Sequence, residues 1–290
     1  MHLRYDDDFV EGAVFLCAGG RRRGAPALQV RRFHAEREKC YSVADPDERN
    51  AAFFQVHFGW FREWGLEELI TCSLREFPLL PDALQVLAFR QARNRNEEGA
   101  ELYVGAGDVR TAVVALRLER LMRDDQMLRF LRHEFTHLHD MVDPVFAYSA
   151  QIALRVQNPT QQRIVRERYR LLWDVTIDGR LARNGREPMN HRDQHQALFN
   201  RAFSFWSEEK RRQVFDAHWE DLSPRHENIL ALAADPRDLD HAREPLPGGS
   251  CPLCQFPTFE WADARRLTPE TVAAASALFP DWTPEQSACK

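Results

Sequence analysis

The residues of this chain best placed to do chemistry are His133-Glu134-Phe135-Thr136-His137. On a helix, two histidines four residues apart lie one turn apart on a single face, so their imidazoles can share one zinc ion. Glu134 then sits about 100° round from His133, where a carboxylate can take a proton from a water held by the ion. That is hydrolysis chemistry in outline. Two imidazoles do not complete a zinc site, so a third donor must come from a separate element and a fourth position must stay open to water.

The flanking residues predict the helix that this chemistry needs. Asp124 can cap its start and Asp125 suits the positive end of the helix dipole, while Met127, Leu128, Leu131, Phe135 and Leu138 recur at helical spacing. Asp143-Pro144 marks its stop. Just upstream, Arg110 to Arg117 is β-branched and apolar enough to form a strand, whose edge would be available to pair with an extended peptide. Downstream, Gln161 to Arg183 reads as a long helix, apolar at Val165, Leu171, Leu172 and Val175 and ending near Asn184-Gly185.

That second helix carries Asp174 and Asp178 one turn apart. Carboxylates on a half-buried face need a partner, and a divalent cation is one. The 41 positions from His137 to Asp178 let the chain turn and return a helix beside the first. We expect Asp178 to be the third ligand and Asp174 to orient a ligand histidine, with the two roles reversible. Tyr148, Tyr169, His191 and His195 are the candidates for stabilising an oxyanion, and the sequence does not rank them. His139, about 200° round the helix from His137, should point away from the same metal.

An HExxH motif followed by a helix carrying Trp173-Asp174-Val175-Thr176-Ile177-Asp178 resembles the zincin-like metallopeptidases of bacteria, whose third ligand is acidic. The resemblance covers residues 111–187 and implies a zinc ion on His133, His137 and Asp178, Glu134 as general base, and a polypeptide substrate. The chain departs from the family pattern at Asp174, where asparagine is frequent, and at Gly179-Arg180, where apolar residues are expected.

A second metal signal lies near Lys290. Cys251-Pro252-Leu253-Cys254 follows the linker-like run Pro245 to Ser250, and a CxxC in a tight turn is how half of a zinc ribbon begins. Cys289 offers a third thiolate, so Cys251, Cys254 and Cys289 form a candidate structural zinc site. Its fourth donor is open between His226, His241 and Cys40, with an unmetallated pair as the other reading. A redox role is less suited, because thioredoxin-like motifs open a helix and here Gln255-Phe256-Pro257 follows. Such a module could also present a surface to a protein partner.

Composition bounds the rest. With 290 residues, 44% of them hydrophobic, the chain can build one large domain, expected over 1–244, and a small module over 245–290. A net charge of −5 gives no basis for nonspecific nucleic-acid binding, and Arg21-Arg22-Arg23 and Arg31-Arg32 read as solvated surface charge. No segment has the apolar length of a membrane span and the first residues lack the pattern of a secretory signal, so a cytoplasmic location is expected. Six cysteines, unpatterned apart from the CxxC, suit a reducing compartment.

The predicted architecture is α+β, with a small antiparallel sheet followed by a mainly helical zincin-like body and a zinc-ribbon-like appendage. Short strands are expected at Ala13–Cys17 and Ala27–Phe33, an aromatic-rich helix at Glu48–Trp64, and strands within Ala83–Arg93, Ala100–Gly105 and Thr111–Leu118. Helices are expected at Ser207–Trp219 and Arg225–Ala234. The functional expectation is a zinc metallopeptidase. The alternatives are a noncatalytic zinc-stabilised scaffold and a partner-binding protein centred on the CxxC module.

Overall fold

The computed structural model describes residues 1–20, 25–149, 159–237, 245–263 and 266–290. The Arg21–Arg23 run and His241 therefore lie outside the described residues. The chain divides into two compact units, one of Met1–Tyr148 with Asn184–Met189 and the other of Ser149–Arg183 with Asn190–Lys290. The fold is α+β, with a four-stranded sheet in the first unit and a helical second unit.

In the first unit, strand β1 (His2–Tyr5) leads into helices α1 (Asp7–Ala18), α2 (Ala27–Cys40), α3 (Pro46–Glu63), α4 (Leu66–Leu74) and α5 (Leu79–Ala83). Strands β2 (Val86–Gln91), β3 (Gly99–Val104) and β4 (Arg110–Leu116) follow, then the short α6 (Leu118–Leu121) and the long α7 (Asp124–Val142). The sheet order is β1-β2-β4-β3. Two expectations change here. The sheet is mixed and not wholly antiparallel, because β1 pairs parallel with β2, and β2 parallel with β4. Helical crossovers can return a strand parallel, whereas the five-residue turn between β3 and β4 forces an antiparallel pair. The exposed edge is also not the strand expected just upstream of the candidate metal-binding helix: β4 is interior, and β1 and β3 are the edges.

The stretches Ala13–Cys17 and Ala27–Phe33 are helical, as parts of α1 and α2. A short apolar run does not distinguish strand from helix by itself. Taken with Phe9 and Val10, however, Ala13, Val14 and Cys17 repeat at helical spacing, and all five are buried. The aromatic helix is present as α3 and contributes to packing. Phe61 is fully buried, and Tyr5 lies with its ring centroid 5.4 Å from Phe61 and 5.5 Å from Phe89.

The second unit contains α8 (Pro159–Arg183), α9 (Arg192–Ala202), α10 (Glu208–Glu220) and α11 (His226–Ala234). Ser207 caps α10 by accepting from the Lys210 N–H. Phe199 packs on Phe203 and Phe215, with centroids 4.5 and 5.5 Å apart. The departure at Gly179 has a packing reason. A Cβ at this position would collide with the backbone carbonyl of Trp219, so the glycine lets α10 approach α8 closely. Residues 245–290 belong to this unit and form two short hairpins, β5 (Gly249–Ser250) with β6 (Pro257–Thr258), and β7 (Trp261–Ala262) with a final strand, separated by α12 (Pro269–Leu278). That last strand, β8, is Ala288–Cys289. Among the described residues no helix is long and apolar enough to cross a membrane.

One buried ion cluster sets the position of the edge strand. Glu98, immediately before β3, accepts hydrogen bonds from the Arg117 N–H at 3.1 Å and from Arg120 Nη2 at 2.8 Å. Arg120 in turn lies 4.6 Å over the Phe130 ring of α7. Burial alone would raise the Glu98 carboxyl, but the Arg120 and Arg117 donors outweigh it and hold its pKa below the ordinary value of 4.5. A carboxyl depressed by folding stabilises the native state above its unfolded value, and that contribution is lost as pH falls through the lowered value. Glu98→Gln should therefore unfold with a shallower pH dependence below about pH 4.5 than the parent, as measured by urea denaturation across an acid series.

Candidate metal centres

Helix α7 divides its surface sharply. Met127, Phe130, Leu131, Phe135 and Leu138 are at most 1% exposed and join the core of the first unit. His133, Glu134, His137 and Asp140 are also buried, on the neighbouring side of the helix. The helix begins after Arg123, so Asp124 occupies its first turn beside Asp125 and does not cap it. Both acids still favour the positive end of the dipole.

The two imidazoles face each other on successive turns, with ring centroids 4.9 Å apart and planes at 72°. Glu134 is turned toward the sheet, where its Oε2 accepts a 2.8 Å hydrogen bond from the backbone N–H of Ala100 in β3. That N–H points away from β4. By the two-residue period of a strand, the backbone groups of Leu102 and Val104 also face the free edge. A histidine pair, a carboxylate and a strand edge that no described strand pairs with are thus assembled within one unit. His139 is one-third exposed, with Nδ1 3.8 Å from the Asp140 carboxylate.

In the second unit the two aspartates of α8 have different surroundings. Asp178 is fully buried, and its Oδ2 lies 2.7 Å from His195 Nε2 and accepts the Asn190 N–H at 2.9 Å. The carboxylate of this expected third ligand thus ties α8 to the start of α9, because a buried charge is stable only with close donors. Asp174 is half-buried and lines a cavity of about 480 Å³ with Ile164, Arg168, Leu171, Leu198 and Phe259.

The oxyanion candidates also separate. The Tyr169 hydroxyl is 2.7 Å from His226 Nδ1, His195 is engaged with Asp178, and the His191 N–H donates to Gln194 at the start of α9. Tyr148 is the candidate in the same unit as the histidine pair, and its burial raises its pKa above the ordinary tyrosine value.

The expected thiols converge. Donor atoms of Cys251, Cys254 and Cys289 all lie within 4.8 Å of one another, and Cys254 Sγ is 3.7 Å from Cys289 Sγ. The CxxC occupies a knuckle. Gln255 adopts φ 62° and its N–H donates to the Cys251 carbonyl, while the Cys251 N–H donates to Phe256. Burial opposes ionisation of Cys251, yet backbone N–H groups of Cys254, Cys289 and Leu253 bring its thiol down to about 7. Hydrogen bonding with Cys251 and Cys254 pushes Cys289 up to about 11. Of the fourth donors considered, His226 is paired with Tyr169, and the Cys40 thiol, in the first unit, contacts the Glu36 carbonyl.

Both units therefore carry donor sets suited to a metal, the imidazole pair in one and the thiol triad in the other. Two contributors were not legible in the sequence. The Ala100 N–H is a backbone group with no residue signature, and the Asp178–His195 pair depends on how α9 packs. No family model, curated protein or solved structure matches the chain.

The Asp178–His195 pair makes a direct prediction. Asp178→Ala should lower the unfolding free energy by about 3–5 kcal/mol, the usual cost of removing one partner from a buried pair. Urea denaturation measures the loss.

Proposed function

We propose that this protein is a zinc-dependent peptidase in which His133 and His137 hold one zinc ion with an acidic third ligand and Glu134 is the general base. The observation that carries the reading is the imidazole pair on successive turns of α7, with Glu134 hydrogen-bonded to the antiparallel edge strand. The third ligand that the resemblance implies is Asp178, with Asp174 as the alternative one turn earlier on α8. Two imidazoles and a carboxylate are a donor set that zinc accepts, and the family resemblance of residues 111–187 points the same way.

Zinc held by these residues supplies Lewis-acid polarisation of a carbonyl and acidification of water. Glu134 takes the proton released as water attacks the scissile carbonyl and delivers it to the leaving amine. The Ala100 N–H fixes this carboxylate before substrate arrives. The free backbone groups of Leu102 and Val104 pair with an extended polypeptide, leaving side-chain selectivity to the surroundings of the strand. The resemblance to the zincin-like metallopeptidases of bacteria makes a polypeptide the substrate class.

Metal analysis combined with hydrolysis of a fluorogenic peptide mixture tests the assignment. His137→Ala should lose the zinc ion of this site. Glu134→Gln should keep it and lower kcat by a factor on the order of 10²–10⁴. Zinc bound by the parent without cleavage of any peptide, and no difference between parent and Glu134→Gln, would support the noncatalytic scaffold.

A further inference from the structure

We propose that Cys251, Cys254 and Cys289 bind a second zinc ion as three thiolates, with the fourth coordination position facing solvent and filled by an exchangeable donor. The inference rests on the second unit alone and does not depend on the hydrolase reading.

The sulfur spacing is that of a metal site. Zinc–sulfur bonds of about 2.3 Å arranged tetrahedrally separate neighbouring sulfurs by about 3.8 Å. The Cys254–Cys289 separation is 3.7 Å, far longer than the roughly 2.05 Å of a disulfide bond. The backbone is also shaped for anionic sulfur. The left-handed turn at Gln255 closes the knuckle, and the Cys289 N–H points at Cys251 Sγ from 3.4 Å away. A thiolate at Cys251 is thereby solvated by the chain before any ion arrives.

The three ligands come from two separate elements. Cys251 and Cys254 sit in the turn between β5 and β6, whereas Cys289 lies on β8 and pairs with Trp261 of β7. An ion among them cross-links both short hairpins. Two-residue strands have little stability of their own, so such a cross-link would supply much of what this segment lacks in buried apolar surface.

The open position follows from burial and from the donor census. Cys251 is fully buried, Cys289 is partly exposed and Cys254 is exposed, so the group reaches solvent at Cys254. Among the described residues no fourth histidine, cysteine or carboxylate joins the group. Zinc with three protein ligands completes its shell with water or another small donor.

The test uses the reduced full-length chain, stripped of metal and titrated with Co²⁺ as a spectroscopic probe, beside zinc analysis of the untreated protein. We expect a thiolate-to-cobalt charge-transfer band that persists in His137→Ala and is lost in Cys251→Ser and Cys289→Ser. Cys254→Ser alters an exposed side chain, so it should fold while weakening the band, and Cys72→Ser should change nothing. Added imidazole should shift the visible ligand-field bands, and His241→Ala should leave the spectrum as it was. Absence of the band in the parent, or its survival in all three triad variants, overturns the site. Insensitivity to imidazole, or a spectrum altered by His241→Ala, overturns the open fourth position. Zinc content separates this proposal from the hydrolase assignment: loss in the cysteine variants alone supports only the thiol site, and loss in His137→Ala alone supports only the imidazole site.

Discussion

The central constraint on the first unit is that α7 must bury two kinds of surface at once. Its apolar stripe packs into the core with β3, α4, α5 and α6, which carries the neighbouring strip of His133, Glu134 and His137 out of solvent as well. A polar group removed from water must find a partner or destabilise the fold. Glu134 finds one in the Ala100 N–H, and this single hydrogen bond fixes the carboxylate relative to the strand edge. The candidate chemistry thus grows out of the packing of one helix.

That geometry depends in turn on where β3 begins. Glu98 joins the start of β3 to the end of β4 through Arg117 and to α6 through Arg120. Arg120 then covers Phe130 of α7. The contacts form a closed path from the strand to the helix and back, so Ala100 and Glu134 are held by elements that constrain each other. Groups aligned in this way are held in place by the packing around them.

The second unit shows the same physics with different outcomes at neighbouring positions. Asp174 and Asp178 are one turn apart on α8, but only Asp178 meets His195 and Asn190 when α9 packs. Gly179, next to it, is required by the close carbonyl of Trp219. At the thiol triad the backbone does the organising, since the knuckle aims N–H groups at Cys251 whatever side chains occupy Pro252 and Leu253. Metal affinity at such sites is as much a property of chain direction as of cysteine spacing.

Much of this was legible from residue order alone. The helices at 124–142 and 159–183, the strands around 86–91, 99–104 and 110–116, and the proximity expected of Cys251, Cys254 and Cys289 follow from periodicity, turn residues and short spacing. These are local properties, decided by the steric and hydrogen-bonding preferences of neighbouring residues. The helical state of residues 27–33, the mixed sheet with β3 at its edge, and the partner of Asp178 were not local. Each was decided by which distant surface came to cover a given face, because an apolar run buries equally well as strand or helix and a carboxylate accepts any donor within reach. Sequence spacing determined which residues could do chemistry; tertiary packing decided which buried charge was already satisfied.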